Sequence, residues 1–243
     1  MSIYVITHVP HARTETPVEM KGLFTVDEMR RAAREIEVVT DWFTDEMIHT
    51  ADEQIIFGFS RVFCDVERFI DDPLESVGQG LFYNKTLDGR TLREANADAQ
   101  KIAQSYYDRH HKWLNQSIQM TMPISPVLLI DVHSYSDFQA DFTGRIARPD
   151  ICLGTDSRRT SQWMIDEARD VFERHGYTVD VNTPYNGTMI PESCQKNPDF
   201  FAIMFEVNKR TYLNDDLRTR EPRKFARLQL AMDEAAATLR AAS

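Results

Sequence analysis

The segment that most constrains the fold is a short apolar run, Val-Leu-Leu-Ile-Asp-Val, at residues 127–132. It follows two prolines and contains a single polar residue, as strands that are covered on both faces of a sheet usually do. A strand with one face in water would instead alternate between apolar and polar residues. The run therefore predicts a central strand of an α/β sheet that has helices on both sides.

Other apolar runs alternate with helical patterns along the chain. Strands are predicted at residues 3–9, 151–153, 177–181 and 201–207, and one bent strand or two at 54–66. Helices are predicted after the Thr25–Glu28 capping box, near residues 40–41, and over 96–118, 160–175 and 222–242. This order predicts an α/β fold with a mainly parallel or mixed twisted sheet flanked by helices. No linker divides the chain, so we expect a single domain over residues 1–243.

The charge and cysteine content exclude several classes of partner. Thirty-eight acidic and 28 basic residues give a net charge of −10, and the resulting field disfavours nucleic acid and anionic membranes. A small anion is still allowed, because local arginines act at contact distance. Three cysteines without a CxxC pair, no leader-like N-terminus and no long apolar span predict a cytoplasmic protein with no membrane segment. The sequence does not indicate an oligomeric state.

Histidines and carboxylates collect at the ends of the predicted strands, where α/β folds form their sites. His11 follows the first strand and His133 the central one. Two neutral imidazoles and one carboxylate form a ligand set of catalytic zinc, with a fourth position open for water. We expect Asp41 to be the carboxylate, with Asp45, four residues later, as the alternative. Asp131 faces the same side of its strand as His133 and would orient that ligand.

Structural roles compete with these functional ones. A single histidine is more often a hydrogen-bonded structural residue than a metal ligand. Arg61 and Arg68 would pair just as readily with neighbouring acids such as Asp65. Glu206, within an apolar run, needs a partner or a purpose because an unpaired buried carboxylate is costly. The chain has no HExxH, P-loop, GxGxxG or GxSxG motif, and the residues taken together favour a metal-dependent hydrolase.

Short motifs around these residues resemble, in order, those of the N-formylglutamate amidohydrolase family, a branch of the zinc carboxypeptidase-like hydrolases. Any one of them is weak, but eight in register from about residue 5 to 215 are specific. The matching segments are Pro10-His11, Thr40-Asp-Trp-Phe-Thr-Asp45, Ser60-Arg61 with Asp65 and Arg68, Tyr107 to Leu114, Asp131-Val-His133-Ser134, Asp150 to Thr155, Asn182 to Gly187, and Glu206 with Tyr212-Leu213.

The resemblance implies a carboxypeptidase-like (phosphorylase/hydrolase-like) fold and a role for each matched residue. One zinc per chain would be held by two histidines and one carboxylate, although such a set accepts other divalent metals. Glu206 would be the general base, and Arg61 and Arg68 would divide between them the oxyanion and the substrate carboxylate. The implied metal ligands are His11, His133 and Asp41 (or Asp45), and the implied substrate-binding residues are Arg68, Asn182, Tyr185 and Asn186.

The implied reaction is hydrolysis of a small anionic N-acyl amino acid. In the family this is N-formyl-L-glutamate plus water giving formate and L-glutamate, a step of amino-acid metabolism such as histidine degradation. Two departures lie beside the implied site: Ala12-Arg13 replaces Ser-Gly, and Asn186-Gly187 replaces a Gly-Gly pair. The alternatives are an amidohydrolase for another N-acyl amino acid or a small peptide, and a non-catalytic carboxylate-binding relative.

Overall fold

The computed structural model describes residues 2–69, 72–137 and 147–241. Its strands are β1 (Tyr4–Val9), β2 (Glu53–Ile56), β3 (Val127–Tyr135), β4 (Ile151–Gly154), β5 (Val179–Val181) and β6 (Phe200–Asn208). Its α-helices are α1 (Val26–Val39), α2 (Ala97–Thr121), α3 (Gln162–Arg174) and α4 (Pro222–Ala241). In this part of the chain no helix is long and apolar enough to cross a membrane.

Two of the local predictions were wrong. Only Glu53–Ile56 of the Ile- and Phe-rich stretch forms a strand, and the chain from 57 to 66 continues as turns and irregular structure. Its apolar residues are nevertheless buried, because they pack into a separate core rather than into the sheet. The helix expected near residues 40–41 is a short 3₁₀ turn, Thr44–Glu46.

The strands form one mixed sheet with the order β2-β1-β3-β6-β4-β5. Neighbouring strands are parallel except for β4, which runs antiparallel to β6. This confirms the predicted α/β fold class with a mixed sheet. All nine residues of β3 are buried, as its apolar sequence predicted.

Helices cover both faces of the sheet. Helices α3 and α4 pack on one face, where Phe172, Leu228 and Phe205 share a core. The C-terminal half of α2 covers the other face, where Leu114 and Ile118 pack against the sheet. A strand with water on neither face needs apolar residues on both, which explains the composition of β3.

A third core lies beside the sheet, between α1, the N-terminal half of α2 and the chain from 57 to 83. Phe24, Phe63 and Phe82 surround the Arg93 guanidinium, whose carbon lies 4.7–4.9 Å from the three ring centroids. Burial lowers the pKa of Arg93 to about 9. This core fixes the irregular chain that carries Arg61 and Arg68.

Period-two alternation places polar side chains on the α2 side of the sheet. Near the beginning of the strands this side is apolar, with Ile6, Leu129 and Ala202 packed in the α2 core. Every second residue of a strand points to the same face, so the same side continues toward the carboxyl ends with polar residues. These are His8 in β1, Asp131 and His133 in β3, and Glu206 in β6.

The N-terminal cap of α1 provides a test of the local structure. The Thr25 hydroxyl accepts a hydrogen bond from the Glu28 N–H, and the Glu28 carboxylate accepts one from the Thr25 N–H. Thr25→Ala should lower the free energy of unfolding by about 1 kcal/mol, because a capping hydroxyl is removed. Urea unfolding measures this free energy. Thr16→Ala, which removes no capping hydroxyl, should lower the free energy of unfolding less. Equal decreases in the two variants would contradict the capping role of Thr25.

Candidate active site

A cavity of about 650 Å³ opens at the carboxyl ends of the central strands. It brings together nearly all of the residues that the sequence singled out. Its walls include His11, Asp41, Arg61, Arg68, His133, Tyr185, Asn186 and Glu206. Asn182 is not among them.

Three ligand-type atoms converge in this cavity, from His11, Asp41 and His133. The two Nδ1 atoms lie 3.2 Å apart, and each lies 3.5 Å from Oδ2 of Asp41. All three residues are buried. Ligand atoms at 2.0–2.1 Å from a tetrahedral zinc lie about 3.3–3.4 Å from one another, so the observed triangle has the size that such a metal requires.

A carboxylate stands behind each of the two imidazoles. His11 Nε2 lies 2.8 Å from Oδ1 of Asp65, and His133 Nε2 lies 3.1 Å from Oδ1 of Asp131. The His11–Asp65 contact has the geometry of a hydrogen bond, whereas the His133–Asp131 contact is short but not aligned for one. A proton on each Nε2 leaves both Nδ1 atoms as lone pairs that face the Asp41 carboxylate. That arrangement is repulsive unless a cation lies between them, and carboxylates behind ligating histidines are typical of metal sites.

Asp41 is fixed where α1 ends. Its N–H donates to the His11 carbonyl at 3.0 Å, and Ser134 Oγ donates to its Oδ1 at 3.0 Å. Lys209 Nζ donates to the neighbouring Thr40 carbonyl at 2.7 Å. Burial opposes the charge on Asp41, but the nearby histidines keep its pKa below the usual value.

Asp45, the alternative ligand, lies outside this cluster. Its carboxylate pairs with Arg13 at 2.8 Å, in a contact at the protein surface. Arg13 is one of the two departures from the family pattern, and the pair gives it a structural role. Among the described residues, Asp41 and not Asp45 therefore meets the two histidines.

Glu206 lies beside this triad on the neighbouring strand. In the β3–β6 register it is opposite His133, and it is 8% exposed. Its Oε2 has no hydrogen-bond partner among the described residues. Burial raises the pKa of Glu206 to about 8. A buried carboxylate whose Oε2 is unsatisfied by the described residues is suited to exchange a proton with a ligand.

Asp65 connects the histidine cluster to the arginines. Its Oδ1 accepts from His11, and its Oδ2 accepts from Arg61 at 2.9 Å and from the Tyr83 hydroxyl at 2.9 Å. Arg68 Nη2 lies 3.2 Å from the same Oδ2. Burial alone would raise the pKa of Asp65, but the Arg61 guanidinium and its other partners hold it well below the usual value. Both arginines therefore have the structural pairing that the sequence left open, and both also line the cavity.

A second buried cluster surrounds His8, in β1. Its Nδ1 lies 2.9 Å from Oδ1 of Asp131 and 3.1 Å from Oε1 of Glu67, and its Nε2 lies 2.8 Å from Nε2 of His110. Burial opposes a charge on His8, but the two carboxylates outweigh it and raise its pKa to about 9. Burial lowers the pKa of His110 to about 2. His8 thus forms a hydrogen bond with Asp131 and a close charge contact with Glu67, whose Oε1 has no hydrogen-bond partner among the described residues.

The loop after β5 forms the opposite wall of the cavity. Tyr185 and Asn186 line it, whereas the Asn182 amide bonds Thr155, accepting from its N–H at 2.9 Å and donating to its Oγ1 at 2.7 Å. Asn182 thus holds the loop to the end of β4. Gly154 has no room for a Cβ because the Gly187 carbonyl packs against it. Arg148, which the sequence did not single out, also lines this wall.

Comparisons with known proteins identify a family by sequence and a shared fold by structure. The model of the N-formylglutamate amidohydrolase family matches residues 3–213. No curated protein sequence matches the chain. An N-formylglutamate amidohydrolase from Ralstonia eutropha superposes with a TM-score of 0.79 at 17% identity, covering 100% of this chain and 96% of that one. A gene product of Agrobacterium tumefaciens superposes with a TM-score of 0.64 at 16% identity, over 97% and 90% of the two chains.

The position of Asp65 generates a stability prediction. Asp65→Asn keeps the shape of the side chain but leaves two largely buried guanidiniums without their counter-ion. The loss of one partner of a buried ion pair typically lowers the free energy of unfolding by about 3–5 kcal/mol, and guanidinium chloride unfolding would measure this decrease. Asp27→Asn is the control, since it breaks the exposed Asp27–Arg30 pair and should hardly move the unfolding midpoint. Similar midpoints for the two variants would refute the central role of Asp65.

Proposed function

Because the chain belongs to the N-formylglutamate amidohydrolase family, we propose that it is a metal-dependent enzyme that hydrolyses the amide bond of an N-acyl amino acid. The observation that carries the proposal is the triangle of His11, Asp41 and His133, with Glu206 beside it. The substrate is a small anion of the N-formylglutamate type. Arginines in the cavity recruit it in spite of the acidic net charge.

The residues of the triangle would hold the metal. Two imidazoles and one carboxylate are a ligand set for zinc, and the same set accepts other divalent ions. A metal ion held there supplies Lewis acidity, which makes water a better nucleophile near neutral pH and the amide carbonyl a better electrophile. Asp65 and Asp131 would keep His11 and His133 in the tautomer that ligation needs.

Glu206 is the proton-transfer group of the proposed reaction. Its carboxylate takes a proton from the attacking water and then delivers it to the leaving nitrogen, which must become an amine to depart. Its burial beside His133 and its unsatisfied Oε2 support this role. Both transfers need a carboxylate that can gain and lose a proton, and burial, which raises the pKa of Glu206, favours uptake of the proton.

Arg61 and Arg68 bind the negative charge of the substrate and of the reacting carbonyl. Arg61 donates hydrogen bonds from Nε and Nη2 to the Asp65 carboxylate. Arg68 donates from Nε to the Gln79 carbonyl and from Nη2 to the Tyr83 hydroxyl. A guanidinium has five N–H donors, so the Nη1 group of each remains for a ligand. Arg61 would stabilise the oxyanion and Arg68 the substrate carboxylate. Tyr185 and Asn186 would contact the substrate from the opposite wall, with Asn182 positioning their loop.

A substrate panel tests the proposed function. Purified protein loaded with zinc would be incubated with N-formyl and N-acetyl derivatives of several amino acids, and amine release would be followed. We expect release from at least one derivative that carries a free α-carboxylate. Cleavage only of larger acyl or peptide substrates would favour another amidohydrolase of the branch. Binding without cleavage would show a carboxylate-binding relative and overturn the proposal.

The two aspartates form a matched pair for testing metal ligation. Asp41→Ala should lose stoichiometric metal, because one of three protein ligands is removed, whereas Asp45→Ala should keep about one metal per chain. Elemental analysis after dialysis gives the stoichiometry, and circular dichroism checks that each variant is folded. Metal loss in Asp45→Ala with retention in Asp41→Ala would reverse the assignment.

Glu206→Gln separates proton transfer from metal binding. The variant keeps the size of the side chain and should retain the metal, while kcat falls by roughly 10²–10⁴-fold because the base is gone. Glu167→Gln, a substitution at an exposed position of α3, is the control for a generic change of charge. An unchanged kcat in Glu206→Gln would remove this residue from the proton-transfer role.

A further inference from the structure

Cationic groups flank the histidine triangle on both sides along the sheet. Arg61 and Arg68 belong to the chain that follows β2, at one edge. Arg148 belongs to the chain that precedes β4, beyond β6 on the other side. All three line the same cavity. The sheet order therefore places the reactive centre between two positively charged walls.

Arg148 differs from the other arginines around the cavity in its partners. Arg61 and Arg68 share Asp65, and Arg210 pairs with Asp137 and Asp150. Within the described ranges, no carboxylate lies within 4.0 Å of the Arg148 guanidinium. Its Nη1 donates to the Ser136 carbonyl at 2.8 Å and lies 3.5 Å from the Tyr185 hydroxyl. Among the described residues, its partners are therefore neutral, and its positive charge lines the cavity.

Two tyrosines hold the Arg148 guanidinium in place. Its central carbon lies 5.9 Å from the ring centroids of both Tyr135 and Tyr185, and the rings are 5.6 Å apart. Tyr135 is anchored by a 2.6 Å hydrogen bond from its hydroxyl to the Pro149 carbonyl. Aromatic faces attract a guanidinium and restrict its rotation. Its Nε and Nη2 have no acceptor within the described ranges, and a positioned guanidinium of this kind suits a carboxylate, which it can bind at two points.

We propose that Arg148 is a specificity-determining residue that binds a second carboxylate of the substrate, the one at the end of its side chain. The inference rests on the proposed function, which places the scissile amide at the triangle and the α-carboxylate on the β2 side. A neutral side chain would leave Arg148 without an anion in a partly desolvated wall. The site would then select N-acyl amino acids with acidic side chains.

The test compares N-formyl-L-glutamate with N-formyl-L-glutamine, which have nearly the same shape but differ in charge. The native protein should have the higher kcat/KM for the glutamate derivative. Arg148→Met should lower kcat/KM for the glutamate derivative roughly 10- to 100-fold, the usual effect of losing a hydrogen bond between charged groups. The kcat/KM for the glutamine derivative should change by no more than about twofold. Arg148→Lys should recover part of the preference. Arg158→Met, which alters an exposed arginine that does not line the cavity, should preserve it.

Equal losses for both substrates in Arg148→Met, or no preference in the native protein, would overturn the assignment while amide hydrolysis itself stands. Calorimetric binding of L-glutamate and L-glutamine to the metal-loaded protein separates the two proposals. If no N-formyl derivative is cleaved but glutamate binds more tightly through Arg148, the proposed function fails and the anion site remains. If Arg148→Met weakens both amino acids equally, or neither binds the native protein, the anion site fails.

Discussion

The buried carboxylate of Asp65 is the interaction on which most of the site depends. It accepts hydrogen bonds from His11 and Tyr83, and two guanidiniums pair with it. Removing one acid from water is costly, and it is tolerated here because every lone pair has a strong donor. The same four contacts join the separate aromatic core to the end of β1. The orientation of the His11 ring and the positions of Arg61 and Arg68 therefore depend on the Asp65 carboxylate.

The strand-level organisation of the site could be predicted from the sequence because it follows from local patterns. The largely apolar run at residues 127–132 predicts a central strand, and the carboxyl ends of parallel strands meet at one edge. These two rules place His11, His133 and Glu206 near one another, and the alternation of side chains along β3 places Asp131 on the same face as His133. The structure brings these residues together at the distances described above.

Contacts between distant segments could not be predicted in the same way. His8 lies two residues from Ile6 on the α2 side of β1, but only the packing of α2 brings His110 against it. The choice between Asp41 and Asp45 depends on α1 ending at Val39 and on Arg13 being available to pair with Asp45. Arg148 stands in no motif that was singled out, and its described partners, the Ser136 carbonyl and the rings of Tyr135 and Tyr185, come from other segments.

The distribution of charge explains how one cavity can favour both a cation and an anion. At the centre, Asp41 and Glu206 lie close to the two imidazoles, while Asp65 and Asp131 stand behind them, so the local field attracts a positive ion. On either side, arginines present N–H donors that the surrounding acids do not fully use. At contact distance these local fields outweigh the net charge of −10, which acts mainly at longer range and is screened by salt. If the proposed metal is held at the centre, it and the flanking guanidiniums would act in the same direction on a substrate with two carboxylates, because each cationic group attracts negative charge.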